Sequence, residues 1–204
     1  MTEVIKAGDP GSPERAAGVL GAGGVIVYPT ETLYGIGALV TSGAALERIF
    51  EIKGRPKNMP IPVLVRDFEM LGSIAETTPA AERLAEKFWP GALTIILKVS
   101  GELNPIITSG TGKVAVRISA HPFVSRLFEY IDIPLTSTSA NLSGAGNILK
   151  SSYIYETFRD KVELIIDSGN IPASKGSTIV DLAAGSPRIV REGDLSSRKL
   201  KEYL

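Results

Sequence analysis

The sequence predicts an α/β domain. Short apolar runs of strand character recur along the chain, amphipathic stretches separate them, and hydrophobic residues make up 44% of 204 residues against 22% charged, the composition of a chain that folds. The runs fall at 25–28, 61–65, 93–99, 114–118, 164–166, 178–182 and 188–190. These seven strands would make one sizeable sheet, and the length suits a single domain covering residues 1–204.

Helices are expected between the runs. Ser12 followed by Pro13 reads as a helix start and Gly21 as a stop; Thr78 with Pro79 repeats the start signal. Leu46, Ile49, Phe50 and Lys53 share one helical face, so a helix there buries the first three and ends at Gly54, leaving Lys53 where the chain enters a loop. The Gly/Ser-rich segment 143–152 reads as a mobile loop or a covering lid, and 196–203 as a short polar helix.

Several function classes drop out. The chain has no cysteine, so disulfides, a thiolate nucleophile and a zinc ribbon are excluded, and an intracellular, cytoplasmic location fits best. No basic stretch leads into an apolar run at the start, and no apolar segment is long enough to cross a bilayer, so no membrane partner is expected. Lys plus Arg equals Asp plus Glu, 22 of each; any anion site is therefore a local concentration of charge. Gly21 to Gly24 precedes a strand and lacks the third glycine of a dinucleotide fingerprint. Gly112-Lys113 has Ile107 where a P-loop needs glycine. The single His121, before Pro122 at a predicted helix start, has no second histidine with which to build a metal site, and Phe88 and Trp89 beside Pro90-Gly91 read as core and turn residues.

Polar clusters at predicted strand ends, where α/β sheets place their ligands, carry the chemistry. Pro29-Thr30-Glu31-Thr32-Leu33-Tyr34-Gly35 reads either as a set of hydroxyls orienting a small polar ligand or as a capped turn. Lys53-Gly54-Arg55-Pro56-Lys57 places three cations on a stiffened loop, a phosphate site or a solvated face. Alternation along 114–118 puts Arg117 on the face of Ala115, with reach toward a ligand carboxylate. Thr136-Ser137-Thr138-Ser139-Ala140-Asn141 holds five hydroxyl or amide side chains in six residues, which water or a polyanion must satisfy. Arg191, with Ser177 and Thr178, adds a weaker fifth element. Cations, hydroxyls and a guanidinium fork without a carboxylate dyad suit phosphoryl or nucleotidyl transfer by positioning and electrostatics.

With these residues in view the chain resembles the YrdC/Sua5 family, the L-threonylcarbamoyladenylate synthases. The likeness is carried by Pro29 to Gly35, Lys53-Gly54-Arg55-Pro56, Trp89 to Thr94, Val114 to Arg117, Ser139-Ala140-Asn141 with Ser143-Gly144, Ser177 to Leu182, and Val190 to Gly193, in that order. It implies a twisted mixed sheet with flanking helices and a concave basic face, in the short form of the family. It further implies a reaction in which L-threonine, bicarbonate and ATP, with Mg²⁺, give threonylcarbamoyl-AMP and pyrophosphate. A partner transferase complex then modifies adenosine 37 of tRNA, and direct tRNA or double-stranded RNA binding is a further implied possibility.

Residue by residue, the resemblance places threonine on Thr32, Arg117, Ser137 and Ser177, and the nucleotide on Lys53, Arg55, Ser139, Asn141, Asn147 and Arg191, with Lys53 and Arg55 as the catalytic pair and no protein-held metal. Departures from the family pattern fall at Met59, Leu64, Lys113 and Asn147, and bear on substrate identity more than on fold. Two alternatives stand beside this reading: a carbamoyl-adenylating enzyme with another substrate, and a non-catalytic RNA-binding module.

Overall fold

The structure is a computed structural model describing residues 1–204. In chain order its elements are β1 (Glu3–Lys6), α1 (Ser12–Gly21), β2 (Ile26–Tyr28), β3 (Gly35–Gly37), α2 (Gly43–Lys53), β4 (Val63–Leu64), α3 (Phe68–Gly72), α4 (Pro79–Phe88) and β5 (Leu93–Lys98). There follow α5 (Pro105–Thr108), β6 (Lys113–Arg117), α6 (Pro122–Leu127), β7 (Leu135–Thr136), β8 (Thr138–Ser139), α7 (Ser151–Phe158), β9 (Leu164–Asp167), β10 (Thr178–Asp181), β11 (Arg188–Arg191) and α8 (Ser197–Lys201).

The mixed α/β class is as expected, and every one of the seven predicted strands is present. They do not form one sheet. Eleven strands divide into a five-stranded sheet, β1-β9-β2-β3-β8, and a six-stranded sheet, β11-β10-β5-β6-β4-β7. The four additional strands are β1, β3, β7 and β8. Three of them are two or three residues long and lie in polar or glycine-containing sequence, where neither alternation nor an apolar run marks them. Both sheets mix parallel and antiparallel pairs: β1 and β2 run parallel to β9, while β5 and β6 are antiparallel.

Two cores explain the layering. The larger draws Ile26, Tyr28, Leu164 and Ile166 from the first sheet together with Leu93, Ile95, Val114, Val116 and Val180 from the second. A smaller one lies on the opposite face of the first sheet, where Val25, Val27 and Ile36 pack with Ile49 and Phe50 of α2 and Ile154 and Phe158 of α7. Strand β2 is therefore covered on both sides, its side chains alternating between the cores.

The helix signals have clear physical outcomes. The Thr78 hydroxyl accepts from the Ala81 N–H at 3.2 Å, capping α4 ahead of Pro79. On α2, Leu46, Ile49 and Phe50 are buried as the spacing requires, and Gly54 ends the helix at φ +59°. Burial of each of those three side chains contributes about 1.5–3 kcal/mol. Lys53 lies on the same stripe, so core packing carries an ammonium inward at the last turn.

The two sheets meet where the chain steps from β7 to β8 through Ser137. The Thr136 N–H donates to the Ala38 carbonyl, and the Ala38 N–H donates to the Thr136 hydroxyl, both at 2.9 Å. Gly37 makes the approach possible, because a Cβ there would lie 2.0 Å from the Thr136 carbonyl oxygen. No helix is long and apolar enough to cross a membrane.

Candidate functional site

The polar clusters converge on this junction. β4 pairs with β6 and with β7, setting Leu64 beside Arg117 on one side and Leu135 on the other. β8 pairs with β3, setting Ser139 beside Gly35 at the end of the Pro29–Gly35 turn. Strand order alone thus brings Arg117, Ser137, Ser139 and the turn after β2 together, despite the long stretches of chain between them.

Lys53 is 2% exposed. Its ammonium donates to the Ser139 carbonyl, to the Asn141 carbonyl at 2.6 Å and to Asn141 Oδ1 at 3.3 Å. All three donors are thereby engaged by one turn, and none reaches a carboxylate. Burial, then the nearby Arg55 charge, pulls Lys53 from an ordinary 10.5 down to about 8. The Ser139 hydroxyl donates to Asn141 Oδ1 at 2.6 Å, and Asn141 Nδ2 donates to the Ala145 carbonyl at 2.8 Å, so the turn is locked from both sides.

Arg55 curls over its own loop, donating to the Pro60 carbonyl at 2.8 Å and the Met59 carbonyl at 3.3 Å. Burial lowers its pKa below the ordinary arginine range. Lys57, third cation of that loop, instead turns outward and pairs with Glu47 at 2.5 Å. Arg191 lies at the end of β11, where it donates to the Ser177 carbonyl at 2.8 Å; burial first, and Arg117 second, lower its pKa. The Ser177 hydroxyl is 2.8 Å from that of Thr94 on β5. Sequence reasoning passed over Thr94 as a site residue, although the Trp89-to-Thr94 motif contains it. Neither Lys53, Arg55 nor Arg191 has an acidic partner among the ion pairs of the structure.

Arg117 differs. Its side chain is 8% exposed, and Nη1 donates to Glu31 Oε1 at 2.6 Å and to the Thr32 hydroxyl at 3.2 Å. The other Glu31 oxygen accepts from the Ser119 hydroxyl at 2.5 Å. Glu31 was not singled out by the sequence reading. The Ser137 N–H donates to the Pro62 carbonyl at 2.7 Å, which leaves its hydroxyl against Gly35 and Tyr28.

Asn147 stands apart from the turn, on the exposed loop after β8, and donates to the Ser174 carbonyl at 3.2 Å. That loop is tied at its start by the Ser143 N–H, which donates to the Lys53 carbonyl at 2.9 Å. It therefore bridges the Lys53 turn and the segment leading to Ser177. Lys113 lies at the far end of β6 from Arg117 and pairs with Asp181 at 3.0 Å. His121 caps α6, its Nδ1 accepting from the Phe123 N–H at 3.2 Å. Trp89 is buried, with Nε1 donating to the Leu93 carbonyl at 2.6 Å. No group of three or more His, Cys, Asp or Glu side chains is placed to hold a metal ion.

Comparison with known proteins agrees with this architecture. The Sua5/YciO/YrdC family model, described as telomere recombination, matches residues 18–193. Over 93% of its length the chain is 38% identical to the threonylcarbamoyl-AMP synthase of Pyrococcus abyssi and spans 56% of that protein. The structure of P. abyssi Sua5 complexed with L-threonine matches all of this chain and 61% of its own, with a TM-score of 0.93 and 35% identity. E. coli YciO, 28% identical, matches all of this chain and 99% of its own with a TM-score of 0.88. Because these likenesses run through both sheets and the junction between them, the chain belongs to the Sua5/YciO/YrdC family.

Proposed function

We propose that the chain is a threonylcarbamoyl-AMP synthase, a nucleotidyltransferase that converts L-threonine, bicarbonate and ATP into threonylcarbamoyl-AMP, pyrophosphate and water. The observation that carries this reading is a set of cations with no carboxylate of their own, Lys53 buried, Arg55 half-buried and Arg191 exposed at the edge, set around hydroxyl-bearing turns. Uncompensated charge away from water is costly, and a bound polyanion relieves it.

In this reading threonine lies against Arg117, Thr32, Ser137 and Ser177, its carboxylate on the guanidinium. The nucleotide occupies Arg55, Ser139, Asn141, Asn147 and Arg191. Lys53 acts through the turn it holds, keeping Ser139 and Asn141 in place and adding its charge to the site. The threonine carbamate oxygen attacks the α-phosphorus in line, the bond from the α-phosphorus to the bridging oxygen breaks, and pyrophosphate leaves on the cationic side. Mg²⁺ accompanies the phosphates, and the chain itself supplies no ligand cluster for it.

Residues 1–204 act as one unit in this proposal, since the larger core draws on both sheets. The setting is cytoplasmic, and the product passes to a transferase complex acting on adenosine 37 of tRNA, with any direct contact to tRNA or double-stranded RNA made through the side that carries Arg55 and Arg191. The resemblance of the P. abyssi protein bound to threonine supports the choice of amino acid.

The test is pyrophosphate release from ATP with L-threonine and bicarbonate each omitted in turn, and mass spectrometry of the adenylate. Release that requires both, with an adenylate of threonylcarbamoyl mass, is the expected result. Release indifferent to threonine would assign another amine, and the departure from the family pattern at Leu64, buried beside Arg117, would then bear on that choice. No release, together with tight tRNA binding, would mark a silent RNA-binding module.

A further inference from the structure

We propose that Glu31 determines specificity, forming with Arg117 a dipolar cradle that selects a zwitterionic α-amino acid over a simple carboxylate. The inference rests on the assignment of Arg117 to the amino-acid carboxylate and goes beyond it. Of the four cations brought together at the junction, only Arg117 has an acidic partner: Glu31 Oε1 is 2.6 Å from Nη1. The remaining donors of Arg117, Nε and Nη2, have no partner within the chain. Since no buried side-chain nitrogen or oxygen lacks a hydrogen-bond partner, those two nitrogens reach solvent-accessible space.

Charge matching divides the site accordingly. Lys53, Arg55 and Arg191 present three positive charges to a polyanion, whereas Arg117 and Glu31 together present none. A ligand of no net charge with separated poles complements the second pair. An α-amino acid whose carboxylate docks on the free edge of Arg117 carries its ammonium a few bond lengths away, toward the carboxylate that already holds the other edge. Glu31 is fixed for that role, with its second oxygen accepting from Ser119 at 2.5 Å and its side chain 20% exposed. A carboxylate lacking the ammonium would meet Glu31 as a like charge and be disfavoured.

The experiment measures binding of L-threonine and of 3-hydroxybutanoate, which is threonine without its amino group, by calorimetry to the wild-type chain, Glu31→Gln and Glu31→Asp. Expected is a loss of at least tenfold in threonine affinity for Glu31→Gln, with 3-hydroxybutanoate bound as well as before or better. Glu31→Asp, which keeps the charge on a shorter arm, should lose less for threonine. Threonine affinity unchanged in Glu31→Gln would overturn the proposal, as would equal losses for both ligands, since those would leave Glu31 only holding Arg117 in place. Failure of the wild-type chain to bind threonine would instead overturn the amino-acid assignment of Arg117, so the two failures read differently. Circular dichroism of each variant checks that the fold is retained.

Discussion

Lys53 is an ammonium held by three oxygens, none of them anionic, and this gives it a distinctive pH response. Its pKa of about 8 lies below the ordinary 10.5, so between those values the unfolded chain binds a proton that the folded chain does not. The cost of burying the charge is therefore present in full below pH 8, and stability rises as pH increases from about 8 toward 10.5. Nucleotide binding in the proposed site should run the opposite way, because polyphosphate favours the charged form: affinity for ATP should fall as pH rises through about 8. Calorimetry near pH 8, in two buffers of different ionisation enthalpy, should show proton uptake on binding, and Lys53→Met should abolish it. Arg117→Lys keeps charge but loses the guanidinium fork, and should weaken threonine by about 1.5–3 kcal/mol, roughly 10- to 150-fold, in a binding titration; an unchanged affinity would remove Arg117 from the substrate. Most of these side chains were legible as strand-end polar clusters. Glu31 was not, although it stands inside a motif singled out for its hydroxyls. Its meaning comes from a partner 86 residues away, and spacing reports only what neighbours along the chain can do.

Strands with a side-chain pattern could be read from sequence, and strands made by docking could not. β5 and β6 announce themselves through runs of apolar or alternating residues, and α2 through the spacing of Leu46, Ile49 and Phe50. β3, β7 and β8 are extended only because a neighbouring backbone satisfies them, as the paired bonds between Ala38 and Thr136 illustrate. That is also why one expected sheet became two: the short connecting strands decide the division. Gly37 is the element's weak point. With a methyl group demanding space 2.0 Å from the Thr136 carbonyl, Gly37→Ala must pry β3 from β7, and should destabilise the protein by about 2 kcal/mol or more in urea unfolding. Gly21→Ala, whose added Cβ meets no heavy atom within 4 Å, serves as the comparison and should leave the midpoint far less affected.

A core shared by both sheets should make them unfold together. Calorimetry should give one endotherm, with calorimetric and van't Hoff enthalpies in agreement, and saturating ATP should raise the midpoint without splitting the peak; at one hundred times its dissociation constant a ligand adds about 2.7 kcal/mol. Two resolved transitions would show instead that each sheet holds its own. With no net charge over the whole chain, the pull on ATP in the proposed reading comes from the local cations Lys53, Arg55 and Arg191, so a salt titration should weaken ATP binding far more than it changes stability. The passage through Ser137 places a further constraint on the molecule. Thr136 and Thr138 are buried there, while Ser137 and Ser139 remain partly open, in the strict alternation of extended chain. One added or deleted residue in that step would exchange the two sets, turning the outward hydroxyls into the core and the inward ones out. Side chains along it can be traded singly, but its length is fixed, much as a key survives polishing and not the loss of one notch.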